Sequence, residues 1–138
     1  MSNDSHKLKT LAEQYPEYVK NPHSWAAMVE RYRDDVANWG GSAQMLSLVE
    51  YLEGQDFASL FSPGTSHMML VICTEAYPQQ PVDSLSIWWD DRIKAYKLDY
   101  YEAGHSKPDK RMCTESQVRD VLELKLLRMQ IAHVGEAV

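Results

Sequence analysis

Two short segments in which polar and apolar residues alternate constrain the fold of this chain more than any other feature. The first, residues 84–90, carries Leu85, Ile87 and Trp89 at every second position, and residues 94–102 alternate in the same way. Because successive side chains of a strand point to opposite faces, each segment predicts a strand with one apolar face. The few residues between the segments leave room only for a turn, which predicts an antiparallel hairpin.

The apolar residues also set how these two strands pair. A tight turn at Asp91 and Arg92 places Trp89 opposite Lys94, and residues directly opposite each other project to the same face. One face then collects the apolar residues of both strands, namely Leu85, Ile87, Trp89, Tyr96, Leu98 and Tyr100. The other face collects a mixed set, namely Ser86, Trp88, Asp90, Lys97, Asp99 and Tyr101.

A third strand precedes the hairpin. Residues 67–74 are apolar at odd and even positions and include branched side chains, a pattern that predicts a strand covered on both faces. Pro78 and Pro81 follow, and because proline has no amide hydrogen for a ladder, they predict a connection before residue 84. Together the segments predict an antiparallel meander of three or four strands.

The residues before this meander predict helices. Ser24 and Ser42 each precede apolar residues at three- and four-residue spacing, which predicts capped helices from residue 24 to about 38 and from residue 42 to about 54. Residues 4–14 predict an earlier helix that Pro16 interrupts.

A last helix follows the meander. Thr114 and Gln117 match the capping box, and the helical pattern continues to about His133 with an apolar arc so broad that we expect it to lie in a groove. Residues 55–66 and 103–112 contain proline and glycine turn signals and predict loops. The order ααα-βββ-α predicts one α+β domain over residues 1–138, with about four helices packed on the sheet.

Size and charge narrow the classes of function. A formal net charge of −6 over 138 residues argues against general nucleic-acid binding and favours a neutral or basic partner. No apolar stretch approaches the roughly 20 residues that cross a bilayer, and the first residues lack the layout of a secretory signal, so we expect a cytoplasmic protein. The histidines are scattered without metal-ligand spacing, so we expect no metal or cofactor.

A basic cluster before the last helix is one candidate site. His105, Lys110 and Arg111 lie in the predicted loop, and Cys113 follows them. Cations beside a helix N-terminus can hold an anion and lower the pKa of a cysteine thiol, for which His105 is the nearest base in the sequence. A solvated loop without chemistry is the simpler interpretation. The alternative is an anion-binding or small-ligand-binding protein, or an enzyme, that uses residues 105–113.

The mixed face of the hairpin is the other candidate. If helices cover only the apolar face, Trp88 and Tyr101 remain outside, among Asp90, Lys97 and Asp99. Aromatic rings among charges have the composition of a protein-binding hot spot. The alternative is that an N-terminal helix covers this face too and leaves the charges at its rim.

These features favour a small, acidic, cytoplasmic protein-binding domain over an enzyme. Its acidic side chains would steer a basic partner, such as a toxin or an enzyme, and Trp88 and Tyr101 would anchor that partner. Bacterial immunity or antitoxin proteins, which block a toxin by covering its active site, share this size and charge, an analogy of general character that no motif supports. The broad apolar surface of the last helix also leaves a homodimer open.

Overall fold

The computed structural model describes residues 13–137, with side chains to residue 135. Its helices are α1 (Pro16–Lys20), α2 (Trp25–Asn38), α3 (Ala43–Glu53) and α4 (Val118–Ala137), and a 3₁₀ helix spans Asp56–Leu60. Its strands are β1 (Ser62–Ser66), β2 (Met69–Cys73), β3 (Ser84–Asp90), β4 (Ala95–Tyr101) and β5 (Asp109–Cys113). The helix predicted for residues 4–14 lies almost entirely outside the described residues.

The predicted α+β class is confirmed, but the sheet has five strands rather than three or four. All neighbours are antiparallel, in the order β1-β2-β3-β4-β5. The loops predicted for residues 55–66 and 103–112 are therefore wrong where β1 and β5 form. Both are edge strands with a single neighbour, and an edge strand tolerates a proline such as Pro63 and charges such as Lys110 and Arg111.

The β3–β4 hairpin forms, with a register two residues away from the predicted one. Trp89 pairs with Tyr96 rather than Lys94, because four residues form the loop instead of two. A two-residue turn favours positive φ at both central positions and usually glycine at the second, where this chain has Arg92. In the observed loop the amide of Ile93 donates to the carbonyl of Asp90 at 3.3 Å, and Lys94 takes the positive φ, at 52°. A shift of two leaves every side chain on its predicted face.

The prediction that β2 is covered on both faces is wrong. Leu70 and Ile72 are fully buried, whereas Val71 and Cys73, which point the other way, are half-buried. The strand is also shorter at its start than predicted, because His67 and Met68 form the turn from β1, with φ values of 49° and 72°.

One face of the sheet and the helices enclose a single core. Every sheet residue in that core belongs to the same face, namely Leu70, Ile72, Leu85, Ile87, Tyr96, Leu98, Tyr100 and Cys113. Side-chain contacts tie helices to this face: the hydroxyl of Tyr96 donates to the carbonyl of Gln44 at the start of α3, at 2.8 Å. The guanidinium of Arg128 in α4 lies 4.2 Å from the centre of the Tyr100 ring.

A buried polar pair fixes one end of β4. The hydroxyl of Tyr100 donates to the carboxylate of Asp83, and the other oxygen of that carboxylate accepts the amide of Ala103 at 2.8 Å. Both Tyr100 and Asp83 are buried. Burial, and then the Asp83 carboxylate, raise the pKa of the Tyr100 hydroxyl well above its ordinary value. The pair therefore joins the connection before β3 to the end of β4.

The predicted starts of α2 and α3 are confirmed by their caps. The hydroxyl of Ser24 accepts the amide of Ala27 at 3.0 Å, and the hydroxyl of Ser42 accepts the amide of Met45 at 3.1 Å. The last helix begins at Val118, later than the predicted cap at Thr114, and only one bond of the predicted capping box forms, in which the side-chain oxygen of Gln117 accepts the amide of Thr114 at 3.1 Å. These polar side chains satisfy amide hydrogens that a helix start leaves without a partner.

The placement of α4 differs from the prediction. It runs to Ala137, beyond the expected end near His133, and packs on the core along one side only. Its outer side stays exposed, so the prediction that α4 lies in a groove is wrong. Among the described helices, none is long and apolar enough to cross a membrane.

Candidate functional site

The face of the sheet that points away from the core carries the candidate site. We call it the open face, and on β2 to β5 it consists of Met69, Val71, Cys73, Ser84, Ser86, Trp88, Asp90, Ala95, Lys97, Asp99, Tyr101, Lys110 and Met112. None of these residues is buried: most are half-buried, and Lys110 and Met112 are exposed. None belongs to the hydrophobic core.

Strand pairing brings the predicted partner-binding residues together. Trp88 lies opposite Lys97, which in turn lies opposite Met112 on β5. The neighbouring row places Asp99 opposite Lys110. The indole of Trp88 therefore has a lysine on the next strand and a methionine on the strand after it, and all five predicted residues share one face.

Trp88 also lines a shallow cavity. The cavity has a volume of about 410 Å³, and its walls are Trp88, Lys97, Asp99, Lys110, Arg111 and Met112. Three of these residues belong to β5, which among the described strands pairs with β4 only. An apolar ring with cations and a carboxylate around it can hold an amphipathic side chain of a partner.

Some of the charged side chains of the open face form ion pairs with each other. Lys97 Nζ lies 3.2 Å from Asp90 Oδ2, and the side chain of Asp90 is only 9% exposed. The hydrogen bond from Lys97, followed by those from Arg92, lowers the pKa of Asp90 below its ordinary range. Asp90 thus holds Lys97 in place and offers little surface of its own, whereas Asp99 and Lys110 face each other on adjacent strands.

The two adjacent tryptophans have different surroundings although both are half-buried. Trp89 packs against the hydrophobic core and meets the Tyr96 ring edge-on, with 4.9 Å between ring centres. Its indole nitrogen donates to Asp91 at 3.3 Å. Trp88, on the opposite face, is not part of the core. Within residues 13–137, the core thus uses Trp89 and not Trp88.

A histidine–tyrosine pair bounds the open face at β1. Gly64 lies opposite Val71, and a Cβ atom built on Gly64 would come within 3.4 Å of the His23 ring. That ring lies 3.3 Å from the carbonyl of Pro63 and 2.8 Å from the hydroxyl of Tyr77. An imidazole that carries its hydrogen on Nδ1 donates to the Pro63 carbonyl and accepts, at Nε2, from the Tyr77 hydroxyl. No local pattern indicates this contact, because it joins residues far apart in the chain.

Two of the three predicted anion-binding residues lie together, since Lys110 and Arg111 both line the cavity beside Trp88. Being consecutive on β5, they leave the strand toward opposite faces, and Lys110 joins the open face. His105 Nδ1 lies 3.7 Å from Glu102 in the loop before β5. Cys113 is buried, and burial raises the pKa of its thiol more than Arg111 lowers it. The expectation of a lowered pKa for Cys113 is therefore wrong.

Lys110 and Met112 were not predicted to lie on the open face, because β5 was predicted as a loop. They extend the open face by one strand, and no alternation indicates that strand, since four of its five residues are exposed. Within residues 13–137, no group of three or more His, Cys, Asp or Glu side chains is arranged to hold a metal ion.

No model of a known protein family matches this chain, and no match was found among curated proteins or among solved structures.

Proposed function

We propose that this chain is a protein-binding domain that docks a folded, basic protein partner on the open face, with Trp88 as the central anchor. The observation that carries this proposal is the different placement of two adjacent tryptophans. Trp89 contributes to the core, while Trp88 stands on the other face beside a cavity of about 410 Å³. An aromatic residue that the core does not need, surrounded by charges, has the character of a binding hot spot.

The charge of the chain indicates the kind of partner. The formal net charge is −6, which attracts basic surfaces and speeds their encounter. The open face itself carries both signs, since Asp90 and Asp99 alternate with Lys97 and Lys110. Long-range attraction then comes from the whole chain, and the pattern on the open face fixes the orientation of the docked partner.

An inhibitory role of the immunity or antitoxin kind fits these properties. A small acidic domain with one apolar anchor can cover the basic active-site region of a toxin or an enzyme without chemistry of its own. Neither Lys110 with Arg111 nor the buried Cys113 forms a reactive cluster, so the described residues favour binding over catalysis.

The test uses a partner captured from the native cell and then purified. Trp88→Ala and Tyr101→Ala are each expected to weaken binding of that partner by about 30-fold, as truncation of a hot-spot side chain costs about 2 kcal/mol. The matched control is Trp39→Ala, which removes a 74% exposed indole at the end of α2 and should change the affinity less than twofold.

Far-ultraviolet circular dichroism and urea unfolding of each variant separate binding from folding. Trp88→Ala that folds normally and binds like the wild type would contradict the proposal. The same holds if Trp88→Ala or Tyr101→Ala unfolds the domain, because the ring would then belong to the core.

A further inference from the structure

Asp35 is a buried carboxylate that belongs neither to the hydrophobic core nor to the open face. It lies in the last turn of α2 and is 8% exposed. Within residues 13–135 its carboxylate accepts no hydrogen bond. The nearest cation is Arg31, whose Nε lies 3.9 Å from Asp35 Oδ2, beyond hydrogen-bond distance, and whose side chain is 39% exposed. A buried charge ordinarily has a closer partner than this.

Three features of its position disfavour the charge of Asp35. The residue is buried, it lies near the C-terminus of α2, where the helix dipole is negative, and another carboxylate, Asp34, precedes it. Burial raises the pKa of Asp35 above its ordinary value, Arg31 lowers this pKa by a smaller amount, and Asp34 adds to the rise. A cation bound against Asp35 would offset all three effects.

The loop after α2 packs closely on Asp35. The amides of Trp39 and Gly41 donate to the backbone carbonyl of Asp35 at 3.0 Å and 2.7 Å. Gly40 has a φ of 67°, and a Cβ atom built on Gly41 would lie 2.7 Å from the Asp35 Cβ. The loop therefore requires both glycines, and its close approach accounts for the burial of Asp35.

Asp35 lines a cavity of about 440 Å³ between α2, the start of α3 and the β3–β4 loop, which we call the acidic cavity. A second carboxylate, Asp91, lines it too, and among the described residues no lysine, arginine or histidine does. Lys94 binds Asp91 Oδ1 at 2.7 Å without lining the cavity, and the Asp91 side chain is 75% exposed. Asp35 thus lies deep in the acidic cavity and Asp91 near its mouth.

The start of α3 also lines the acidic cavity, and a helix start carries partial positive charge. Its cap is local, because the hydroxyl of Ser42 accepts the amide of Met45 at 3.1 Å. Within residues 13–135 no amide of α3 donates to Asp35. The start of α3 therefore leaves the Asp35 carboxylate available to a ligand.

The other walls of the acidic cavity suit an organic cation. They include the indole of Trp89 and the side chains of Met45 and Met68. An indole attracts an alkylammonium group, and methionine packs on alkyl chains of varied shape. Two carboxylates are too few for a calcium ion, which takes six to eight oxygen ligands, and in the described part of the chain no three His, Cys, Asp or Glu residues are grouped to hold a metal ion.

We propose that the acidic cavity binds an alkylammonium group, with Asp35 as the buried counter-ion and the Trp89 indole against the alkyl chain. The group comes either from a free amine or from a lysine side chain of a protein. The site is separate from the proposed docking surface, because no residue of the open face lines the acidic cavity. Its test therefore does not depend on a partner at Trp88.

Titration of the full chain with butylammonium at pH 7, followed by nuclear magnetic resonance of the Trp89 indole N–H, tests the site. A ligand with five non-hydrogen atoms should bind with a Kd of about 1 mM, and uncharged butan-1-ol, of similar shape, should bind at least about tenfold more weakly. Asp35→Asn should weaken butylammonium binding by at least about tenfold. The matched control is Glu53→Gln, which removes one negative charge from an exposed position at the other end of α3 and should change the Kd less than about twofold.

Urea unfolding of Asp35→Asn separates a binding role from a structural one. The substitution removes a charge that burial disfavours, so the variant should unfold at the same urea concentration as the wild type or a higher one. A lower unfolding midpoint would show that the fold needs the carboxylate and would overturn the proposal. Equal binding of butylammonium and butan-1-ol, or an Asp35→Asn variant that binds butylammonium as tightly as the wild type, would also overturn it.

Two larger probes identify the source of the ammonium group. Butane-1,4-diamine represents a free polyamine, and Nα-acetyl-lysine methylamide represents a lysine within a polypeptide. Tighter binding of the diamine would assign the acidic cavity to a free amine, and tighter binding of the lysine derivative would assign it to a protein side chain. Failure of both to bind would contradict the proposal.

Discussion

Replacing Tyr100 with Phe isolates the buried hydrogen bond that fixes the end of β4. The phenylalanine keeps the ring beneath Arg128, whose guanidinium lies 4.2 Å from the ring centre, and removes only the hydroxyl that donates to Asp83. The carboxylate of Asp83, which is 9% exposed, then keeps the amide of Ala103 as its donor. A hydrogen bond to a charged group contributes about 1.5–3 kcal/mol, so we expect Tyr100→Phe to lower the free energy of unfolding by about 2 kcal/mol.

Urea unfolding followed by circular dichroism measures this loss. With a slope of about 1.5 kcal/mol per molar urea, the midpoint should fall by a little more than about 1 M, while the slope itself stays constant. Tyr101→Phe is the matched control on the open face and should change the unfolding free energy by less than about 0.5 kcal/mol. If Tyr100→Phe is as stable as Tyr101→Phe, the Tyr100–Asp83 pair does not stabilise this end of the sheet.

Three further measurements test other parts of the structure. Ser24→Ala removes the cap of α2 and should cost about 1 kcal/mol in urea unfolding, whereas Ser24→Gly should cost only a few tenths. Cys113 should react with iodoacetamide at pH 8 far more slowly than a free thiol, because burial raises its pKa. Lys125 and then Arg128 lower the pKa of Asp109, so this carboxylate stabilises the fold above its unfolded pKa of about 3.9 and loses that contribution as pH falls through its lower folded value. Asp109→Asn should therefore reduce the loss of stability seen below about pH 4.

Each of these three measurements has an outcome that would contradict the interaction it tests. A Ser24→Ala protein as stable as the wild type would mean that the Ser24 cap does not support α2. Rapid alkylation of Cys113 would show that its thiol is accessible and reopen the nucleophile hypothesis. An acid stability profile of Asp109→Asn that matches the wild type would show that the ion pairs to Lys125 and Arg128 add no stability above pH 4 that acid could remove.

The central hairpin could be predicted from sequence because one face of each strand is buried. Alternation from Leu85 to Trp89 and from Tyr96 to Tyr100 specifies which side chains meet the core, and a register error of two residues does not alter that assignment. The five predicted partner-binding residues share a face for the same reason. The loop length was harder to predict, because it depends on which residue takes a positive φ, in this case Lys94.

The edge strands could not be predicted in the same way. β1 contains Pro63 and Gly64, and β5 contains consecutive charged residues, so the local patterns favour turns and loops. Their strand conformation depends on pairing with β2 and β4, which the composition of the edge strands themselves does not indicate. The predicted anion-binding residues also depend on β5, because Lys110 and Arg111 lie on that strand while His105 lies in the loop before it.

The exposed apolar side of α4 shows a further limit of prediction from sequence. An apolar arc this broad predicts that two sides of the helix are buried, whereas the described residues bury one side, through Leu122, Leu126 and Met129. The sequence pattern of a core-facing helix and that of a helix with a second partner are alike until the fold shows which side the core covers.

The most direct test of the open face compares two exposed methionines. Met112 lies on the open face and is 62% exposed, and Met68 lies in the turn between β1 and β2 and is 52% exposed. Limited peroxide oxidation with mass spectrometry, with and without the captured partner, measures the protection of each. We predict that the partner protects Met112 at least tenfold and leaves the oxidation of Met68 unchanged. Protection of Met68 with Met112 still fully reactive would place the partner elsewhere and contradict the account.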